Sequence, residues 1–307
     1  MGRERVNYFD LQVNGYGGVD FNTDGLSADD LRRACEKLEA DGVAGVLATV
    51  ITEKVDLMVA RLARLVELRE KNALAQRIIA GIHIEGPFIS EKNGYRGAHP
   101  LDAVMDANSE TAKRLLDACG GLLRVMTLAP ERDASAAVTK LLTAANVTVS
   151  AGHTDASLDE LKRACDAGLK MFTHVGNACP MTGMHRHDNI IQRALALRKR
   201  LWLCFIADGV HVPPVALGNY LRLAGDRAIV VTDAIAPAGL GPGRYKLGRW
   251  DLLIGDDMVA RAPDGSHFVG AAITMRQSHA NLRDKLGLSD ARCRQLLVDN
   301  PRKAVQI

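Results

Sequence analysis

The sequence predicts an α/β fold, a (β/α)8 barrel of the TIM type with a small β excursion after strand eight, on three observations. Eight short runs rich in Val, Ile and Leu recur along the 307 residues. Most do not alternate apolar with polar residues, which is how parallel strands covered on both faces read. Amphipathic stretches with helical spacing separate the runs, and a strand–helix–strand crossover makes neighbouring strands parallel. Eight such units favour a closed barrel over an open doubly wound sheet, and such a barrel commonly reaches this length as one unit.

The elements follow in order. Run 8–13 precedes a helix that opens at Ser27, with Asp29 and Asp30 in its first turn and Leu31, Ala34, Cys35 and Leu38 at helical spacing. Run 43–49 leads to a helix near 53–70, run 78–84 to one near 108–119, and run 122–128 to one near 132–145. After run 147–151, Ser157 and Glu160 form a capping box, Leu161, Ala164 and Cys165 make the apolar stripe, and Gly168 stops the helix. Runs 170–173 and 201–206 precede helices near 188–198 and 213–224.

Beyond the last run, 228–232, residues 239–270 break the rhythm. They are Gly-rich, carry short strand-like pieces at 245–247, 252–254, 258–260 and 267–269, and contain Asp264-Gly265, a hairpin signal. This predicts a β excursion over one face of the barrel. Helices near 270–286 and 289–298 complete the chain. No repeat, low-complexity tract or linker divides it, so 1–307 is expected to be a single domain.

Composition excludes several classes. Lys and Arg number 39 and Asp and Glu 36, leaving +3 at pH 7. That balance gives no reason to expect nucleic acid or a membrane surface as partner. The six cysteines include no C-x-x-C pair and sit mostly in apolar patterns, as reduced thiols of a cytoplasmic protein do. Residues 1–8 lack the apolar core of a secretory signal, and no apolar run reaches the ~20 residues of a membrane span.

Catalytic groups of such barrels stand at the C-terminal ends of the strands. Polar residues collect there in this sequence: Asp10, Gln12 and Asn14 on the first, His83 and Glu85 on the third, His153 on the fifth, His174 on the sixth, Asp208 and His211 after the seventh, and Asp233 after the eighth. Two imidazoles and a carboxylate with an open fourth position make a common catalytic metal site, so Glu85, His153 and His174 are the candidate ligands of one divalent ion. Zinc is expected, and iron, manganese and cobalt accept the same donors. Asp233, closing an apolar strand, is the candidate general acid/base. His83 reads as an orienting residue beside the ligands or as a barrel-interior histidine. Asp155 and Asp208 read as caps. The patch His185-Arg186-His187-Asp188 before a helix suits an anion, or a solvated loop capped by Asp188. Phosphate-loop, dinucleotide and nucleophile-elbow motifs are absent.

Taken together, the segments Asp10-Leu-Gln-Val-Asn-Gly15, His83-Ile-Glu-Gly-Pro-Phe88, Ala151-Gly-His153, Thr173-His174-x-x-Asn177-Ala178, Ala207-Asp-Gly-x-His211 and Val231-Thr-Asp-Ala234 resemble the N-acetylglucosamine-6-phosphate deacetylases of the amidohydrolase superfamily. The resemblance runs in order over nearly the whole chain. It implies hydrolysis of the N-acetyl group of an amino sugar to a free amine and acetate. Glu85, His153 and His174 would hold the metal, and Asp233 would act as acid/base. His99, Asn177, Ala178 and His211 would contact the sugar, acetyl or phosphate groups. A homodimer is also implied. Where many amidohydrolases carry His-x-His on strand one, this chain has Gln12-Val-Asn14, poor metal ligands, which argues for one ion rather than two. In place of an Arg-Glu-Pro-Gly stretch stands 184–188, with Arg186 as the phosphate contact. The β-sandwich that usually flanks the barrel is expected to be missing or reduced to 239–270.

Overall fold

In the computed structural model, residues 6–255, 258–265 and 268–307 are described, so most of the polar segment 1–8 and residue 267 of the expected 267–269 piece lie outside the described residues. Eight parallel strands form one sheet in chain order: β1 (Tyr8–Val13), β2 (Val43–Ile51), β3 (Ile79–Glu85), β4 (Leu123–Leu128), β5 (Thr148–Ala151), β6 (Met171–Phe172), β7 (Trp202–Ile206) and β8 (Ala228–Val231). Successive strands pair through parallel ladders, with register shifts in the β1–β2, β2–β3 and β3–β4 pairs. The ring is completed differently. Between β1 and β8 stands a single parallel bridge, Val13 with Ala234, while the Asp10 carboxylate accepts from the Thr232 amide and, at 2.5 Å, from its hydroxyl.

The strand period of two explains the core. Leu47, Val125, Met171, Cys204, Ile206, Ile229 and Val231 meet Phe9 and Leu11 in one buried cluster filling the barrel. The alternate residues Val46, Ala48, Ile82, Ile84, Met126, Val149, Phe172, Leu203 and Val230 pack outward under the helices. Two helix starts are capped where the sequence placed them, Ser27 with Asp30 and Ser157 with Glu160, and Thr274 with Gln277 forms a third capping box. Toward the strands' C-terminal ends the interior turns polar. His83 bonds the Leu11 carbonyl at 3.0 Å and the Thr127 hydroxyl at 2.8 Å, and Thr127, Thr173 and Ser150 continue the chain of hydroxyl contacts at 2.7 Å. His83 is thus fully satisfied in the layer beneath the site.

The excursion is an antiparallel sheet of β9 (Gly243–Leu247), β10 (Trp250–Ile254) and β11 (Ala260–Arg261). Its tight hairpin turn falls at Gly248-Arg249, where Gly248 takes φ +54°, while Asp264-Gly265 turns the chain between Arg261 and Phe268. A small core of its own, with Leu247, Leu252, Ile254, Ala260 and Val269, rests on Ile51 and Ile235 at the strand ends. The hairpin tip is tied down. The Arg249 guanidinium grips Glu53 after β2 through two nitrogens and reaches Asp102 at 3.1 Å. Among the described residues, no helix is long and apolar enough to cross a membrane.

Candidate metal and hydrolysis site

Four strands deliver the central side chains. Glu85 is the last residue of β3, and His153, His174 and Asp233 each stand two residues past the ends of β5, β6 and β8. The last three take left-handed backbone, with φ of +50°, +31° and +53°. For residues with a Cβ this costs on the order of 1–3 kcal/mol each and persists where the surroundings fix it. The surroundings do so here. The His153 loop is held by Glu131, which accepts from the Thr154 hydroxyl and, at 2.9 Å, from the Asp155 amide. Gly152 lies so close to its neighbours that a Cβ there would approach Thr127 Cγ2 to 2.6 Å.

These residues converge. Glu85 Oε1 lies 2.9 Å from His174 Nε2 and 3.2 Å from His153 Nε2. His99 Nε2 is 3.2 Å from His153 Nε2 and 3.9 Å from Glu85 Oε2. Ligand atoms about 2 Å from one tetrahedral ion stand roughly 3–3.5 Å from each other, so this set has the spacing of donors around a single cation. The nitrogen of His153 that faces away, Nδ1, meets the carbonyls of Tyr95 and Arg96 at 3.1 and 3.2 Å. A carbonyl only accepts, so Nδ1 carries a proton and Nε2 is the nitrogen turned inward toward Glu85 and His99, the orientation a metal ligand needs. Nitrogen and carboxylate donors in this mix fit a divalent transition metal. The donor atoms of Glu85, His99 and His153 all lie within 4.8 Å of one another, and His174 joins through Glu85 at 2.9 Å. The resemblance places His99 among the substrate contacts; its closeness to His153 and Glu85 comes from the loop after β3 and not from a strand end.

The two amides of strand one, poor ligands themselves, hold the carboxylates. Gln12 Nε2 donates to Glu85 Oε1 at 2.9 Å, and Asn14 Nδ2 donates to Asp233 Oδ1 at 2.8 Å. Sequence reasoning had excluded them as ligands without seeing this role. Burial alone would raise Glu85, but the imidazoles of His153 and His174 hold it well below the usual carboxylate range. Burial likewise opposes charge on His174, and the bond to Glu85 more than offsets it, raising its pKa. Asp233 is pushed up to about 6 by burial and then by the charge of Glu85. His99 falls to about 3, through burial and then the neighbouring His153, so it is neutral. A buried carboxyl that changes protonation near neutral pH is suited to carry protons.

Glu85, His99, His153, His174 and Asp233 line one cavity, together with Asn14, Asn177 and Ala178, and with Leu247, Trp250 and Phe268 of the excursion. Ala178 also takes positive φ, +48°. The cavity opens into a wider mouth that includes His211 and Arg96. His211 Nδ1 lies 2.5 Å from Asp208 Oδ2, while Asp208 Oδ1 accepts from the amides of Val210 and His211 at 2.9 Å. Asp208 is therefore both a turn cap and the group that orients His211, whose Nε2 is buried without a partner. Asp155 forms ion pairs with Lys92 and Arg193 and joins neither cavity wall. Arg186 stands exposed on the 181–188 loop and lines neither cavity. Asp188 pairs with Arg193 at 2.6 Å, and the side chain of Asn189 caps the following helix.

No family model matches the chain. Among curated proteins, it is 33% identical to the N-acetylglucosamine-6-phosphate deacetylase of Danio rerio over 91% of this chain and 70% of that one. It is 29% identical to the N-acetylgalactosamine-6-phosphate deacetylase of Escherichia coli O157:H7, over 92% of this chain and 73% of the relative. Among solved structures, an Asp-to-Ala mutant of the Mycobacterium smegmatis N-acetyl-D-glucosamine-6-phosphate deacetylase, in complex with N-acetyl-D-glucosamine-6-phosphate, superposes with a TM-score of 0.88. That match covers 98% of this chain and 77% of the other at 29% identity. With barrel, strand-end residues and sequence in agreement, this chain is an amidohydrolase-type enzyme and belongs to the N-acetylglucosamine-6-phosphate deacetylase family.

Proposed function

We propose that the chain hydrolyses the N-acetyl group of a phosphorylated amino sugar, N-acetylglucosamine 6-phosphate before others, to the free amine and acetate. The observation that carries this is the meeting of Glu85, His153, His174 and Asp233 on one cavity in a chain of this family. Glu85, His153 and His174 would hold one divalent ion per subunit, with zinc best suited and iron, manganese or cobalt compatible. Bound there, it would supply Lewis acidity and activation of water. Asp233, fixed at Oδ1 by Asn14, takes the water's proton at its other oxygen and returns it to the leaving nitrogen. His99, Asn177, Ala178 and His211 hold the sugar and its substituents. The Leu247–Trp250–Phe268 wall restricts bulk water. In this reading 1–307 works as one barrel unit in the cytoplasm, as a homodimer.

The test is acetate release from N-acetylglucosamine 6-phosphate, from N-acetylgalactosamine 6-phosphate and from the unphosphorylated sugar, with bound metal measured per chain. Asp233→Asn should keep its metal and lower kcat by about 10²- to 10⁴-fold, the usual worth of a positioned proton carrier. Undiminished turnover in that variant would remove Asp233 from the reaction.

A further inference from the structure

Leu247 and Trp250 pair across the turn between β9 and β10, and both line the metal cavity. Their place over the cavity therefore follows from where the turn, Gly248-Arg249, is held. Carboxylates from three other segments hold it. Asp20, in the loop after β1, accepts from the Gly248 amide at 2.6 Å. Glu53, after β2, accepts from Arg249 Nε at 2.9 Å and from one terminal nitrogen. Asp102, in the loop after β3, accepts from the other terminal nitrogen at 3.1 Å. Every nitrogen of the guanidinium thus has an acceptor, the use to which its planar fork is suited.

Each acceptor is fixed in its turn. The other oxygen of Asp20 takes the Asn22 amide at 2.8 Å, and the Asn22 side chain bonds the Thr49 carbonyl and the Ile51 amide at the end of β2. Glu53 is buried and also accepts from the Lys54 amide at 2.9 Å. Asp102 pairs with Lys54 at 3.2 Å and lies in the single 3-10 turn Leu101–Ala103, three residues beyond His99. An ion pair at a surface often contributes little, and the plain reading is a contact that keeps the hairpin on the barrel. The excursion's own core already does that, seated on Ile51 and Ile235. What Arg249 adds lies at the tip, where Trp250 is 38% exposed and is not fixed by burial. There the arginine ties the Leu247–Trp250 pair to the loop that carries His99, a lining residue of the same cavity.

We infer that Arg249 is a positioning residue of this site: by seating the turn on Glu53 and Asp102 it sets the distance between the Leu247–Trp250 wall and the His99 loop. This rests on the reading that the cavity hydrolyses an N-acetyl amino sugar, for which the wall must exclude water while the sugar is seated. Arg249 touches neither substrate nor metal and acts through the hairpin.

The experiment uses the metal-loaded full chain carrying Trp202→Phe, which leaves Trp250 as the one tryptophan of the two in the sequence. Arg249→Met, Arg249→Lys, Glu53→Gln and Asp102→Asn are made in it. Acrylamide quenching of Trp250 is read beside kcat and KM for N-acetylglucosamine 6-phosphate, bound metal and melting temperature. In Arg249→Met quenching should rise roughly two-fold as the tip loosens. There kcat/KM should fall about ten-fold, with kcat and KM both moving, as when a lid is released. Metal should stay bound, and melting should shift by less than about 4 °C. Arg249→Lys should recover part of both losses, Asp102→Asn should show a smaller loss of the same kind, and Glu53→Gln should add little to Arg249→Met. Unchanged quenching in Arg249→Met, a kinetic loss accounted for by lost metal, or full additivity with Glu53→Gln would each overturn the assignment. If the Arg249 variants fail to fold, Asp102→Asn decides: raised quenching with lowered kcat/KM supports the assignment, and parental values refute it. If the parent releases no acetate, the proposed reaction fails, while quenching still decides the clasp: a rise in Arg249→Met supports it and equal quenching refutes it.

Discussion

Replacing Asn14 with leucine isolates one bond in the proton-handling machinery. The amide and leucine are close in size, so the change removes the 2.8 Å donation to Asp233 Oδ1 with little loss of packing. A buried hydrogen bond to a charged group is worth about 1.5–3 kcal/mol, and about 1.4 kcal/mol corresponds to one pKa unit. The bond favours the ionised form, so its loss should raise the pKa of Asp233 by about one to two units. That carboxyl is already pushed up to about 6 by burial and Glu85. A base must be ionised to accept a proton, so activity rises with pH through this pKa and the acidic limb moves upward in the variant. On that limb kcat/KM should fall about ten- to hundred-fold, while the alkaline plateau is kept. The assay is kcat/KM against pH for both enzymes, with bound metal measured in parallel. A uniform loss at every pH, with the limb unmoved, would show that Asn14 sets geometry and not charge, and the reasoning would fail.

Two further changes probe the scaffold. Gly152→Ala places a Cβ 2.6 Å from Thr127 Cγ2 and 3.0 Å from Thr173 Cβ, so the variant should lose about 1–3 kcal/mol of stability and bind metal less tightly through a displaced His153; unchanged melting and metal affinity would contradict this. The Asp10 carboxyl is held up to about 7 by burial, well above its unfolded value near 4. Its folded form therefore keeps a proton that the unfolded chain releases, and its contribution to stability falls as pH rises from about 4 to about 7. Urea unfolding should find Asp10→Asn gaining on the wild type across that window, and a constant difference would refute the account.

The barrel was legible because its strands are buried on both faces, which leaves continuous apolar runs that a single sequence displays. The ends of those runs carried Glu85, His153, His174 and Asp233, and the structure brings all four to one cavity. Residues outside strands were harder to read. His99 and Arg96 reach the site only because a loop folds back until its carbonyls meet His153, and no periodicity encodes that path. Arg186 drew attention through a local cluster of charge that solvates a surface loop. In the excursion the sequence marked only Asp264-Gly265 as a hairpin signal; the tight turn falls at Gly248-Arg249, whose arginine is anchored on Asp102 and on Glu53, 196 positions away. Gln12 and Asn14 were set aside as ligands on sound chemical grounds, but their actual partners are carboxylates from β3 and beyond β8.

The junction between β1 and β8 gives the closed ring an unequal joint. Seven neighbouring pairs are stitched by strand ladders, whereas this seam has one bridge, a few backbone bonds from residues 14–18 to residues 234–238, and the bonds of a buried carboxyl. Asn14 sits on one bank and Asp233 on the other. A slight parting of the banks would uncouple the acid from its amide while the other strands stayed zipped, so catalytic competence should be the first property to fray and gross unfolding the last. Proton transfer in this molecule thus reports on whether the earliest and latest strands of the barrel have found each other.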